Sequence, residues 1–201
     1  LLGAASCTTN AIVPTLKVLN DEFDIQSGHI ESVHSYTNDQ NLIDNFHKKV
    51  RRGRSAALNM VITETGAGKA VGQVLPELQG KLTANAVRVP TPNVSLAIIN
   101  LRFAKDITLE ELNDFLRQKA FHSDLKEQIG FTNSPEVVST DFVGDRHAGI
   151  IDSAATIVNG NKCVLYVWYD NEFGYTAQLL GLAKEMVGLT YQRYPNFSES
   201  T

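Results

Sequence analysis

Extended segments follow one another in this chain with only short turns between them, and this pattern narrows its folds more than any other feature. Residues 84–89 and 94–103 are β-forming runs separated by Pro90-Thr91-Pro92-Asn93, where neither proline can donate to a sheet ladder. Residues 154–158 and 163–169 flank Asn159-Gly160-Asn161, a hairpin signal because glycine accepts the positive φ of a tight turn. An earlier run from His29 to Thr37 alternates roughly, which predicts a strand leading into a loop at Thr37-Asn38-Asp39 and places His34 on the same face as Ile30. Strands in runs, rather than in strict alternation with helices, give an α+β expectation: a mixed, mostly antiparallel sheet with helices packed on one face.

The helices announce themselves by their starts. Ser6-Cys7-Thr8-Thr9-Asn10 runs into Ile12, Val13, Leu16, Val18 and Leu19, a cap followed by one buried helix face, with Cys7 at the amino end and a distortion expected at Pro14. Thr108-Leu109-Glu110-Glu111 has capping-box spacing ahead of Leu112, Phe115 and Leu116. A last helix is expected over 175–187, burying Leu179, Leu180, Ala183 and Met186, and the Ser- and Asn-containing residues 191–201 read as a mobile tail. Residues 1–190 are thus expected to form one domain, in keeping with a chain of 201 residues. Its start without an initiator Met, so close to a site-like motif, reads as a piece of something longer.

Several classes recede on composition. A net charge of −4 opposes wholesale binding to nucleic acid or anionic membrane, and no apolar run reaches the ~18 residues of a membrane-spanning helix. Two cysteines, Cys7 and Cys163, are too few for a disulfide framework and too far apart for a CxxC pair, so a cytoplasmic setting is expected. A strand, GxGxxG and helix unit is missing. Gly66-Ala67-Gly68-Lys69-Ala70-Val71-Gly72 is one residue too long for that fingerprint, and without Ser or Thr after Lys69 it is no Walker loop. No metal-ligand cluster stands out.

Cys7 is the nucleophile candidate, since a helix amino end favours the thiolate and lowers the pKa from ~8.5, whereas Cys163 lies among Val164, Leu165 and Val167 and reads as structural. A buried, inert thiol is the commoner state of a free cysteine, but the bracketing hydroxyls and amide argue against it here. Among five histidines His34 is the best partner, inward on a strand and followed by a polar loop; alone it would read as a satisfied core histidine. Residues 48–54 carry five positive charges, which read as a solvated face, a nucleic-acid patch, or a phosphate site built with Thr65 and Gly66 at a helix start. Arg88, alone between Val87 and Val89, needs an anion, either an internal carboxylate or a phosphate.

Taken together, Ala5-Ser6-Cys7-Thr8-Thr9-Asn10, His34-Ser35-Tyr36-Thr37-Asn38-Asp39-Gln40, Arg51-Arg52-Gly53-Arg54, Thr65-Gly66-Ala67, Arg88 to Ser95 and Tyr169-Asp170-Asn171-Glu172-Phe173-Gly174-Tyr175 resemble the catalytic domain of the glyceraldehyde-3-phosphate dehydrogenase family, in order and approximate spacing over residues 4–187. The resemblance implies catalysis by Cys7 and His34 through a thiohemiacetal and a thioester. It implies a substrate-phosphate site at Thr37, Asp39 and Arg88, and an inorganic-phosphate site at Ser6, Thr8, Arg54, Thr65 and Gly66. Asn171 and Tyr175 would face a cofactor, NAD or NADP, bound mostly by a domain outside this chain, and the family's homotetramer is implied for the whole protein. Phe173 for the usual Trp and Gln178 for a usual Arg depart from the pattern on the cofactor side. Erythrose-4-phosphate dehydrogenase is the nearest alternative; a Cys-His hydrolase and a basic nucleic-acid-binding module are alternatives of other classes.

Overall fold

The computed structural model describes residues 3–189, so the expected tail at 191–201 lies outside the described residues. In chain order the elements are α1 (Cys7–Phe23), β1 (Ile25–Ser35), β2 (Val61–Thr63), α2 (Ala67–Val74), β3 (Leu82–Val89), β4 (Ser95–Phe103), α3 (Leu109–His122), β5 (Ile129–Thr132), β6 (Gly149–Asp152), β7 (Ile157–Asn159), β8 (Lys162–Tyr169) and α4 (Phe173–Met186). The strands form one eight-stranded sheet in the order β2-β3-β1-β4-β8-β6-β5, with β7 paired to β8. Most neighbours are antiparallel; β1 with β3 and β5 with β6 are parallel. The chain is therefore α+β with a mixed sheet.

The two runs on either side of Pro90-Thr91-Pro92-Asn93 are strands but not neighbours, because β1 lies between β3 and β4. An 11-residue β1 can bond on both edges, and its placement sets His34 directly opposite Arg88 in the parallel register. The hairpin at Gly160 forms as expected, with φ at +60°.

One face of the sheet is covered. Ile30, Ala97, Ile99, Leu101, Leu165 and Val167 from alternate strand positions join Ile12, Leu16 and Leu19 of α1, Val71 of α2 and Leu112 and Leu116 of α3 in a single apolar cluster. The alternate residues Leu96, Ile98, Val164 and Tyr166 stay half-buried on the other face. Gly149 of β6 marks a close approach of helix and sheet: a Cβ there would meet Ala11 O at 2.6 Å. Helix α1 continues through Pro14 without interruption. The capping box of α3 is complete, Thr108 Oγ1 accepting from Glu111 N and the Glu111 carboxylate accepting from Thr108 N.

Helix α4 corrects the expectation for its buried face. Leu179, Leu180, Ala183 and Met186 are exposed, Leu180 to 55% and Met186 to 62%. The inward side carries Gly174, Gln178 and Leu182, spaced by four, and Gln178 Nε2 donates to the carbonyls of Glu127 and Arg146. A 3.6-residue period marks an apolar stripe without saying which neighbour meets it. No helix among the described residues is long and apolar enough to cross a membrane.

Candidate functional site

Cys7 and His34 meet where α1 starts and β1 ends. Ser6 caps α1, its Oγ accepting from Thr9 N at 3.1 Å, which leaves Cys7 as the first helical residue. Ile30, Ser32 and His34 alternate along the covered face of β1, so the imidazole turns inward toward the helix start. Cys7 Sγ lies 3.5 Å from His34 Nε2. The opposite ring nitrogen, Nδ1, is 2.7 Å from the carbonyl of Ser35; in the tautomer that donates from Nδ1 to this carbonyl, Nε2 is the acceptor facing the thiol.

Arg88 lies on the same ring. Its Nη1 donates to Ser35 O at 3.0 Å and Thr37 Oγ1 at 3.4 Å and stands 2.9 Å from His34 Nδ1. A second cation beside a buried ring disfavours the imidazolium: burial, then Arg88, hold His34 down at about 4, against the opposing pull of the Ser35 carbonyl. The thiol departs from expectation. Burial pushes Cys7 above its ordinary value and outweighs hydrogen bonds from Thr8 and the charge of Arg88, so the helix start alone does not yield a thiolate. At pH 7 the imidazole is therefore neutral, and burial favours the thiol over the thiolate beside it. Cys163 is buried and pushed up to about 12, the structural cysteine it was read to be.

Behind the pair is a buried hydroxyl cluster that the sequence reading did not single out. Tyr169 Oη lies 2.9 Å from Thr8 Oγ1 and 2.8 Å from Ser32 Oγ, and its ring packs edge-on against His34. Asn171 is also buried; its Oδ1 accepts from Ser35 Oγ and Ser95 Oγ, both at 2.9 Å. The signal available beforehand was the placement of hydroxyl residues at inward positions of otherwise apolar strands, where each needs a partner.

The expected phosphate residues are only partly gathered. Thr37 is within reach of Arg88, Ser6 and Thr8 flank Cys7, and Thr65 and Gly66 open α2, where Thr65 Oγ1 accepts from Ala67 N at 3.2 Å. Arg54 is not drawn in: its side chain is 65% exposed and bonds Asp44 at 2.9 Å. The buried arginine of that run is Arg52, whose Nε donates to Thr63 Oγ1 at 2.9 Å and whose Nη1 pairs with Asp39. Asp39 therefore serves as a counter-ion to Arg52, with His47 near its other oxygen at 3.6 Å. Residues 48–54 form a turn around Val50–Gly53, and their spacing alone does not tell which arginine points inward.

Of the residues expected to face a cofactor, Asn171 has its oxygen committed and its NH2 without a partner among the described residues, a donor that a carbonyl-bearing group could meet. Tyr175 Oη donates to Ala5 O at 3.1 Å, bracing the segment that leads into Cys7. No cluster of metal-ligating side chains occurs among the described residues.

Residues 6–171 match the sequence family described as Glyceraldehyde 3-phosphate dehydrogenase, C-terminal domain. A glyceraldehyde-3-phosphate dehydrogenase-like protein of Pseudomonas aeruginosa is 64% identical over 97% of this chain and 42% of its own length. The glyceraldehyde-3-phosphate dehydrogenase of Priestia megaterium is 46% identical over 92% of the chain and 55% of its own. Glyceraldehyde-3-phosphate dehydrogenase 1 of Bacillus subtilis is 47% identical over 91% and 54%. The chain spans about half the length of these curated relatives.

Proposed function

Since the chain belongs to the glyceraldehyde-3-phosphate dehydrogenase family, as its catalytic C-terminal domain, we propose that it carries the covalent half of a phosphorylating aldehyde oxidation. The substrate on this reading is glyceraldehyde 3-phosphate and the product 1,3-bisphosphoglycerate. The observation that carries it is the 3.5 Å approach of Cys7 Sγ to an imidazole whose other side is held by Arg88 and a carbonyl.

His34 Nε2 takes the thiol proton as Cys7 Sγ bonds the aldehyde carbon, and amides at the start of α1 stabilise the charge that develops there. That proton passes to the oxygen of the adduct to give the thiohemiacetal hydroxyl, and the same nitrogen takes it back as the carbon gives up hydride and becomes a thioester. A bound nicotinamide dinucleotide supplies the hydride acceptor. Asn171 orients the acceptor's carboxamide, and Tyr175 keeps the approach to Cys7 in place. Inorganic phosphate then attacks the thioester carbon, the carbon–sulfur bond breaks, and His34 returns a proton to the leaving sulfur. Arg88 and Thr37 hold the substrate phosphate; Thr8, Thr65, Gly66 and, from its buried position, Arg52 rather than Arg54 hold the attacking phosphate. NAD or NADP, a homotetrameric whole protein and a cytoplasmic setting complete the reading.

A Cys-His hydrolase is less well supported, because His34 Nδ1 meets a carbonyl where such enzymes need a carboxylate or amide. Erythrose-4-phosphate dehydrogenase would use the same Cys-His chemistry with a different loop after the histidine and a different second phosphate region; Tyr36-Thr37 and Thr65-Gly66-Ala67 favour the triose enzyme. The test is the alkylation rate of Cys7 against pH, with Cys163 as internal control, in the chain and in His34→Asn. A rate at pH 7 that falls about tenfold or more in the variant, and that inorganic phosphate alters, is expected. Indifference to both His34 and phosphate would overturn the assignment.

A further inference from the structure

We propose that Ser35 and Ser95 are positioning residues, which clamp the Asn171 carboxamide by its oxygen and so present its NH2 group as a donor to a carbonyl-bearing ligand. Only the ligand's identity, a nicotinamide carboxamide, rests on the dehydrogenase reading. Ser35 ends β1 and Ser95 begins β4, its antiparallel neighbour, so two backbone ladders fix where their hydroxyls stand. Ser95 Oγ accepts from Ser35 N at 3.1 Å and spends its single proton on Asn171 Oδ1. Ser35 Oγ spends its proton on the same oxygen. Both lone pairs of Oδ1 are thereby filled, and the amide's two N–H donors are left for something outside the described residues.

The backbone around the clamp is also held under strain. Val94, immediately before Ser95, has φ of +65°, a conformation that β-branched residues rarely adopt, and its side chain is buried against Phe142 and Ile150. Asp170, immediately before Asn171, accepts from Gly144 N, Asn93 Nδ2, Glu172 N and Phe173 N. Strained and heavily bonded neighbours on both sides mean that Asn171 has one orientation built in, as a group that must read a ligand requires.

Nitrogen-15 NMR of the chain tests this through the Asn171 side-chain NH2 signals, identified by their loss in Asn171→Asp, with nicotinamide mononucleotide as probe. The wild type should give one sharp pair that the probe shifts. In Ser35→Ala/Ser95→Ala the pair should broaden or move, with probe affinity about tenfold or more weaker, and Ser95→Thr should retain the wild-type response. Unchanged signals and an unchanged probe response in the double variant would overturn the clamp. Signals that change in the double variant while the probe leaves the wild type unmoved would uphold the clamp and instead sink the nicotinamide reading. If the double variant loses its folded backbone spectrum, Ser35→Ala alone, which leaves Ser95 Oγ in place, serves with the same criteria.

Discussion

His34 is held down at about 4 by burial and by Arg88, whereas in the unfolded chain it titrates near 6.5. Between those values the unfolded state binds a proton that the folded state refuses, so stability falls as pH drops through that window and levels off below about 4. The shift corresponds to about 3 kcal/mol, and urea unfolding of His34→Asn should lack this part of the pH dependence. An oxyanion beside Arg88 offsets the cation that depresses the ring, so inorganic phosphate should raise the His34 midpoint in a proton NMR titration. Arg52 and Arg54 separate by the same kind of measurement: Arg52→Ala should abolish the effect of phosphate on Cys7 alkylation, and Arg54→Ala should leave it, the reverse result restoring Arg54. The sequence made Cys7, His34 and Arg88 legible because each is anomalous where it stands. It could not show that burial outweighs the helix end at Cys7, nor that Arg52 turns inward while Arg54 reaches Asp44, since both depend on what surrounds the side chain.

Local signals carried further at the level of elements. Capping residues at Ser6 and Thr108 located two helix starts, and Gly160 located a hairpin, because caps and turns are settled within four residues. The face of α4 was not legible in this way. Leu116→Ala in α3 removes a fully buried side chain and should cost about 2–5 kcal/mol in urea unfolding, whereas Leu180→Ala in α4 should stay within about 0.5 kcal/mol. Equal losses would mean that α4 buries the stripe that stands exposed here.

The molecule as a whole depends on a close approach between its helical layer and its sheet. Gly149→Ala would bring a Cβ to 2.6 Å from Ala11 O and 2.7 Å from Val167 Cγ1, forcing α1 away from β6. Overpacking of this kind costs about 1–3 kcal/mol. Because α1 also carries Cys7, the variant should slow Cys7 alkylation as well as lower the melting temperature, and a loss of stability with an unaltered alkylation rate would show that Cys7, one turn before Ala11, does not move with it. Strand order was the part of the architecture least accessible from sequence: nothing in the 84–103 region indicates that a strand from fifty residues earlier enters between its two halves.

That insertion has a consequence for how such a chain can vary. His34 and Arg88 face each other across one parallel ladder, so their separation is set by the hydrogen-bonded backbone of β1 and β3. The connection after Ser35 carries no part of that measurement. Changes around 42–50, where Leu42, Ile43 and Phe46 stand exposed, would leave the spacing of His34 and Arg88 in place. The spacing of imidazole and guanidinium is thus a property of the sheet, and it does not depend on the length of the loop that follows.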